Sequence, residues 1–123
     1  MNNDDKLRFL SPIELLELLR KDLQNKGLTS TDYRLSKILG VTPNCVAHIL
    51  KNNGSLSDKN AIILADELQI SRAYVVACMS RHRANNPELK EMWEEIATNA
   101  LKNIAFVVLG FSLHYLPLLQ NLS

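Results

Sequence analysis

Two helix starts separated by a single glycine constrain this chain more than any other feature. From residue 31 the sequence reads T-D-Y-R-L-S-K-I-L-G-V-T-P-N-C-V-A-H-I-L-K. Thr31 or Asp32 can cap a helix whose apolar face is Leu35, Ile38 and Leu39. Gly40 stops it, because glycine tolerates the left-handed turn needed where the chain leaves the helix. Thr42-Pro43 restarts at once with a capping residue and a proline suited to the first helical position. This next helix runs to about Leu50, with Val46, Ile49 and Leu50 facing inward. A short helix, a tight turn and a second short helix are thereby fixed within twenty residues. Ser36 is small enough for the two helices to pass closely, and Val41 fills the gap between them.

The flanking sequence reads the same way. Ser11-Pro12-Ile13-Glu14 is a capping box opening a helix, with Ile13, Leu16, Leu19 and Leu23 at helical spacing and Leu15 widening the stripe. Glu17 and Lys21 lie one turn apart on the other face, and Gly27 ends the helix. Ahead of it, residues 1–10 read as a loose polar lead. Asn52-Asn53-Gly54-Ser55 is a turn cluster. A fourth helix starts near Ser57 and carries Ala61, Leu64, Ala65 and Leu68. Ser71 caps a fifth, burying Val75, Cys78 and Met79. Asn86-Pro87 opens a sixth, lined on one side by Leu89, Trp93, Ile96, Ala97 and Ala100. Only four glycines and four prolines punctuate 123 residues. The predicted fold is all-α: a four- to five-helix domain built around this helix-turn-helix over residues 1–84, then an acidic helix and an apolar C-terminal extension over 85–123.

Net charge is only +1, but it is unevenly placed. Lys26, Arg34, Lys37, Lys51 and Lys59 face only Asp32 and Asp58 in the helix-turn-helix region. Glu88, Glu91, Glu94 and Glu95 face only Lys90 further on. The first region suits a polyanion and the second repels one. Catalysis is not expected: the chain has no phosphate-binding loop, dinucleotide fingerprint, nucleophile elbow or zinc-protease motif, and His48, His82 and His114 have no evident nucleophile. No cofactor or metal is expected, since no His or Cys joins the Glu88, Glu91 and Glu95 stripe at ligand spacing. Two cysteines, Cys45 and Cys78, with no CxxC and a polar, acidic start suggest a reduced cytoplasmic setting. The basic triplet Arg81-His82-Arg83 reads as charge at a helix C-terminus.

Leu35, Ser36, Gly40, Val41, Val46 and Ile49 fall on the structural positions of the Cro/C1-type repressor family, and Asp32–Lys51 resembles that family's helix-turn-helix. The order of a leading S-P-x-E-L-L helix, this motif, an acidic Trp-containing helix and an apolar tail is also similar to a set of small phage-associated regulators. The resemblance implies a sequence-specific transcriptional regulator, a repressor of phage or prophage genes, acting on double-stranded DNA as a homodimer. The second helix of the motif would enter the major groove. Pro43, Asn44, Ala47 and His48 would then face bases: Asn44 toward adenine, His48 toward a guanine edge, Ala47 or Pro43 toward a thymine methyl. Lys37, Thr42, Lys51 and Asn52 would meet phosphates. Asp32 stands where the family often has glutamine, and the reading helix has no arginine, so the phosphate grip is thin.

From Ile104 to Leu119 only Ser112 and His114 interrupt an apolar run. Sixteen helical residues span roughly 24 Å against about 30 Å of bilayer hydrocarbon. The tail suits a dimer seam or packing onto the domain first, and attachment to a membrane or a protein partner second. Two alternatives stand beside the regulator: a protein-interaction or membrane-associated phage module on the same scaffold, and the antitoxin half of a toxin–antitoxin pair.

Overall fold

A computed structural model describes residues 9–104. It is all-α: six helices, 76% helical, with no strand among the described residues. They are α1 (Pro12–Asn25), α2 (Asp32–Leu39), α3 (Pro43–Asn52), α4 (Asp58–Leu68), α5 (Arg72–Arg83) and α6 (Pro87–Ile104).

Local chemistry sets each boundary. At α1 the Ser11 hydroxyl accepts from the Glu14 amide, and the Glu14 carboxylate accepts from the Ser11 amide at 2.9 Å. Its far end closes with Gly27 at φ 74° and the Leu28 amide reaching back to the Leu23 carbonyl at 2.9 Å, a left-handed stop that satisfies otherwise orphaned carbonyls. Thr31, Thr42 and Ser71 each accept an amide hydrogen bond from three residues ahead, capping α2, α3 and α5. Asn86 does the same for α6, its side-chain oxygen accepting from the Leu89 amide at 2.8 Å. Ser57 precedes α4 but makes no such cap, and its hydroxyl donates instead to the Asn60 side chain.

Three details depart from the sequence reading. Helix α3 runs two residues past Leu50, to Asn52, and the left-handed residue that ends it is Asn53 at φ 61°. Glu17 pairs with Arg20 at 3.3 Å, three residues on. Of the lead read over residues 1–10, residues 1–8 lie outside the described residues, but Leu10 is buried, its amide donates to the Tyr74 hydroxyl at 3.2 Å, and half-buried Phe9 lies under the Arg81 guanidinium. Leu10 and Leu15 occupy the two positions of a hydrophobic staple around the Ser11 cap, and both are in the core.

The core gathers Leu15, Leu16 and Leu19 from α1, Leu35 and Leu39 from α2, Val46 and Ile49 from α3, Leu64 and Leu68 from α4, and Tyr74, Val75 and Met79 from α5. Ala97 and Leu101 of α6 join the same cluster, with Trp93 and Ala100 packed against it. The core is thus continuous across residues 84 and 85. Cys78 is buried there beside Tyr74, and loss of solvent pushes its thiol up to about 11, so it stays protonated and unreactive near neutral pH.

Leu89 and Ile96 lie on the outer side of α6, exposed together with Met92, whereas Trp93 and Ala97 face α5. The apolar stripe read from sequence therefore divides in two. The Ile104–Leu119 tail lies outside the described residues beyond its first member. Among those described, no helix is long and apolar enough to cross a membrane.

Candidate nucleic-acid interface

The turn between α2 and α3 is built as the residue types require. Gly40 takes φ 72°, and its amide and that of Val41 both return to the Ser36 carbonyl. Ser36 is buried, its hydroxyl donating to the Tyr33 carbonyl at 2.6 Å. From α4, the Asn60 side-chain amide donates to the Leu39 carbonyl at 2.8 Å. This supplies a partner to a helix-end carbonyl and ties the end of α2 to α4. Val46 and Ile49 are fully buried and fix the rotation of α3 about its axis.

That rotation decides what α3 presents. Pro43, Asn44, His48, Lys51 and Asn52 are exposed, and Ala47 is half-buried. Asn44, His48 and Lys51 recur at helical spacing on one ridge. Thr42 and Lys37 are exposed beside them, at the start of α3 and on α2. Of the eight residues picked out from sequence, seven are thus exposed and the eighth, Ala47, is half-buried. No acidic residue occurs in α3.

Within this surface several groups already have partners. The Thr42 oxygen accepts from the Cys45 amide at 3.1 Å, so it offers a phosphate its hydroxyl proton. His48 Nδ1 lies 3.4 Å from the Asn52 side-chain amide. The His48 ring also leans on the following turn, for a Cβ at Gly54 would fall 2.5 Å from His48 Cδ2. Gly54 is therefore the residue that lets this histidine fold toward the end of α3. A base contact by His48 and a phosphate contact by Asn52 each have to share or break their mutual bond.

Asp32 has a structural use. Its carboxylate accepts from Arg20 Nη2 at 2.7 Å, and the other terminal nitrogen of Arg20 donates to the Ser30 carbonyl. One guanidinium on α1 thus holds the entry to α2 and offsets the one negative charge on that helix.

Sequence reasoning passed over Tyr33, which is 60% exposed on α2 with the Lys37 ammonium 5.3 Å from its ring centroid. The spacing of an aromatic four residues before a lysine was the available signal. Arg81-His82-Arg83 form the last turn of α5, as the sequence indicates. These side chains reach other segments. Arg81 pairs with Glu94 of α6 at 2.6 Å. His82 Nε2 sits 2.6 Å from the Asn53 carbonyl. Arg83 donates to the Leu56 carbonyl at 2.7 Å and also meets Ser55 and Asp58. The end of α5 therefore clamps the loop that follows α3 on one side and α6 on the other. Among the described residues, no cluster of His, Cys, Asp and Glu is arranged to hold a metal ion.

The chain matches no family model, no curated protein and no solved structure.

Proposed function

We propose that this chain is a sequence-specific regulator of the Cro/C1 type that binds double-stranded DNA, with α3 in the major groove, and that it represses transcription as a pair of copies on a two-part site. The observation that carries the reading is the outward ridge of α3. Pro43, Asn44, His48 and Lys51 are exposed on a helix free of acidic residues, whose opposite side is locked by buried Val46 and Ile49. A rigid helix with amide, imidazole and ammonium groups on one edge suits both base edges and phosphates. Arg34 and Lys37 on α2 and Lys59 on α4 are further exposed cations.

The phosphate grip is modest, because Asp32 is committed to Arg20 and α3 has no arginine. Two copies on one DNA compensate, since the second contact becomes intramolecular. The apolar Ile104–Leu119 segment supports self-association. The exposed apolar stripe of α6 also favours a second reading, a protein-interaction module on the same scaffold. Fold alone does not choose between them.

Fluorescence anisotropy against the DNA flanking the chain's own gene, repeated across a salt series, tests the reading. A defined site is expected to bind more tightly than scrambled DNA. Lys51→Ala is expected to weaken all sequences alike and lower the salt slope by about one, while Asn44→Ala narrows the gap between site and scrambled DNA. Equal binding to every sequence at every salt concentration would sink the specific-regulator reading.

A further inference from the structure

The outer side of α6 carries Leu89, Met92 and Ile96, exposed by 36%, 42% and 37%. They are spaced three and then four residues apart, and Asn99 continues the series three residues later, also exposed. This is the alternation of a two-helix seam. The seam cannot rotate inward, because Trp93, Ala97 and Leu101 hold the adjoining side of the helix in the core and Arg81 grips Glu94. Exposed Glu88, Glu95 and Lys102 border it along one flank.

We infer that this stripe is where a second copy of the chain docks, α6 against α6 and antiparallel. Charge selects the occupant. The chain's own segment after Ile104 contains no Asp, Glu, Lys or Arg, so it offers no permanent charge to the glutamates and lysine on the border. A second α6 offers both signs. Running antiparallel with Met92 opposite Ile96 of the second copy, Leu89 meets Asn99 at each end. Glu88 then lies beside Lys102 of the second copy, twice over by symmetry. A parallel pair would put these border residues against Trp93 and Ala100, which face their own core. Near the two-fold axis Glu95 meets its own copy, the one repulsive element of the seam.

So few apolar residues a side fall well short of the area of a standard stable interface. The pairing is therefore weak in isolation and is reinforced when two copies share one DNA. It deepens the two-copy part of the function proposed above and rests on that reading only there.

The test uses the full chain without DNA, so its failure leaves the DNA reading untouched. Sedimentation equilibrium at about 100 µM, above the Kd expected of a small seam, is expected to show dimer. Met92→Glu is expected to abolish it while helicity by circular dichroism is retained, and Glu95→Gln to tighten it about twofold. In a Cys45→Ser background, Glu95→Cys is expected to cross-link on mild oxidation. Glu88→Cys is not, unless mixed with Lys102→Cys. A monomeric wild type at that concentration, a Met92→Glu protein that stays dimeric, or Glu88→Cys joining to itself would each overturn the pairing. The cross-linking arm keeps the proposal falsifiable should Met92→Glu fail to fold.

Discussion

The outward face of α3 and the outward face of α6 are opposites built on one core. On α3 the exposed ridge is polar and cationic, with Asn44, His48 and Lys51 and no acid. On α6 it is an apolar stripe bordered by Glu88 and Glu95, with Glu91 further round. Both helices are fixed from behind by small or branched apolar residues, Val46 and Ile49 in one case, Ala97 and Leu101 in the other. What separates them is the chemistry each displays outward. A polyanion suits the first and is repelled by the second, whereas desolvating Met92 and Ile96 against another apolar surface is favourable. The difference teaches that two unlike partners can be accommodated by one domain of modest net charge, provided the charge is segregated.

Two isoleucines give the largest test of the contrast. Ile49 is fully buried behind the α3 ridge, and Ile96 is exposed on α6. Truncating a buried isoleucine loses its transfer free energy and leaves a cavity. Ile49→Ala is expected to cost about 2–4 kcal/mol in urea unfolding. Ile96→Ala, measured at a protein concentration too low for pairing, is expected to stay within about 0.5 kcal/mol. Equal losses at the two sites would mean that the α6 stripe is covered in the isolated chain, and the contrast would collapse.

Much of this arrangement was legible in the sequence, and the reasons it was differ by element. The starts of α1, α2, α3 and α5 are written in Ser11, Thr31, Thr42 and Ser71, because a cap needs a short oxygen-bearing side chain at one position. The α3 ridge was legible because Val46 and Ile49 fix which side must be buried. On α6 the same argument failed. At about 100° per residue, Leu89, Trp93, Ile96, Ala97 and Ala100 cover a wide arc, and periodicity alone does not say which part of a wide arc meets the core. The small residues Ala97 and Ala100 turned out to lie at or near the close approach. Leu10 was hidden at the end of a polar run, although its place just before the Ser11 cap is a staple position. The partners of Arg20, Arg81 and Arg83 were illegible for another reason. A long cationic side chain reaches whichever carbonyl or carboxylate the tertiary fold brings near, here from 10 to 27 residues away.

Helix α5 lies between the two faces, and its buried thiol gives the next test. Burial raises the Cys78 pKa from the ordinary 9.0 to about 11. The folded chain thus keeps a proton that the unfolded chain releases, so this group's contribution is intact below pH 9 and is lost as pH rises toward 11. Through linkage the loss amounts to roughly 2–3 kcal/mol over that interval. Burial raises the pKa of Tyr74 as well, and it adds to the decline from about pH 10 upward. Cys78→Ala is expected to flatten the part of the stability-against-pH curve that begins near pH 9, whatever it does to absolute stability. A slope unchanged by this substitution would mean that water reaches the thiol, and that the core joining the two faces is looser than its packing indicates.

The smallest expected effects separate the two faces most cleanly, because neighbouring arginines on α5 serve one face each. Arg83 holds the Leu56 carbonyl and Ser55, in the loop that leaves α3, and Asp58 at the start of α4. Arg81 holds Glu94 on α6 and lies over the Phe9 ring. Both side chains are partly exposed, so solvent screening limits each to about 1 kcal/mol rather than the value of a buried ionic bond. Amide hydrogen exchange distinguishes them where global stability does not. Arg83→Ala is expected to speed exchange through residues 53–58 and the last turn of α3 while leaving α6 near its wild-type rate. Arg81→Ala is expected to speed exchange in the middle of α6 and leave residues 53–58 unchanged. If either substitution loosened both segments together, α5 would be transmitting strain between the faces. Were α3 to bind DNA and α6 to pair as proposed, pairing would then alter DNA contact through the protein itself, beyond the gain that two copies on one DNA would supply.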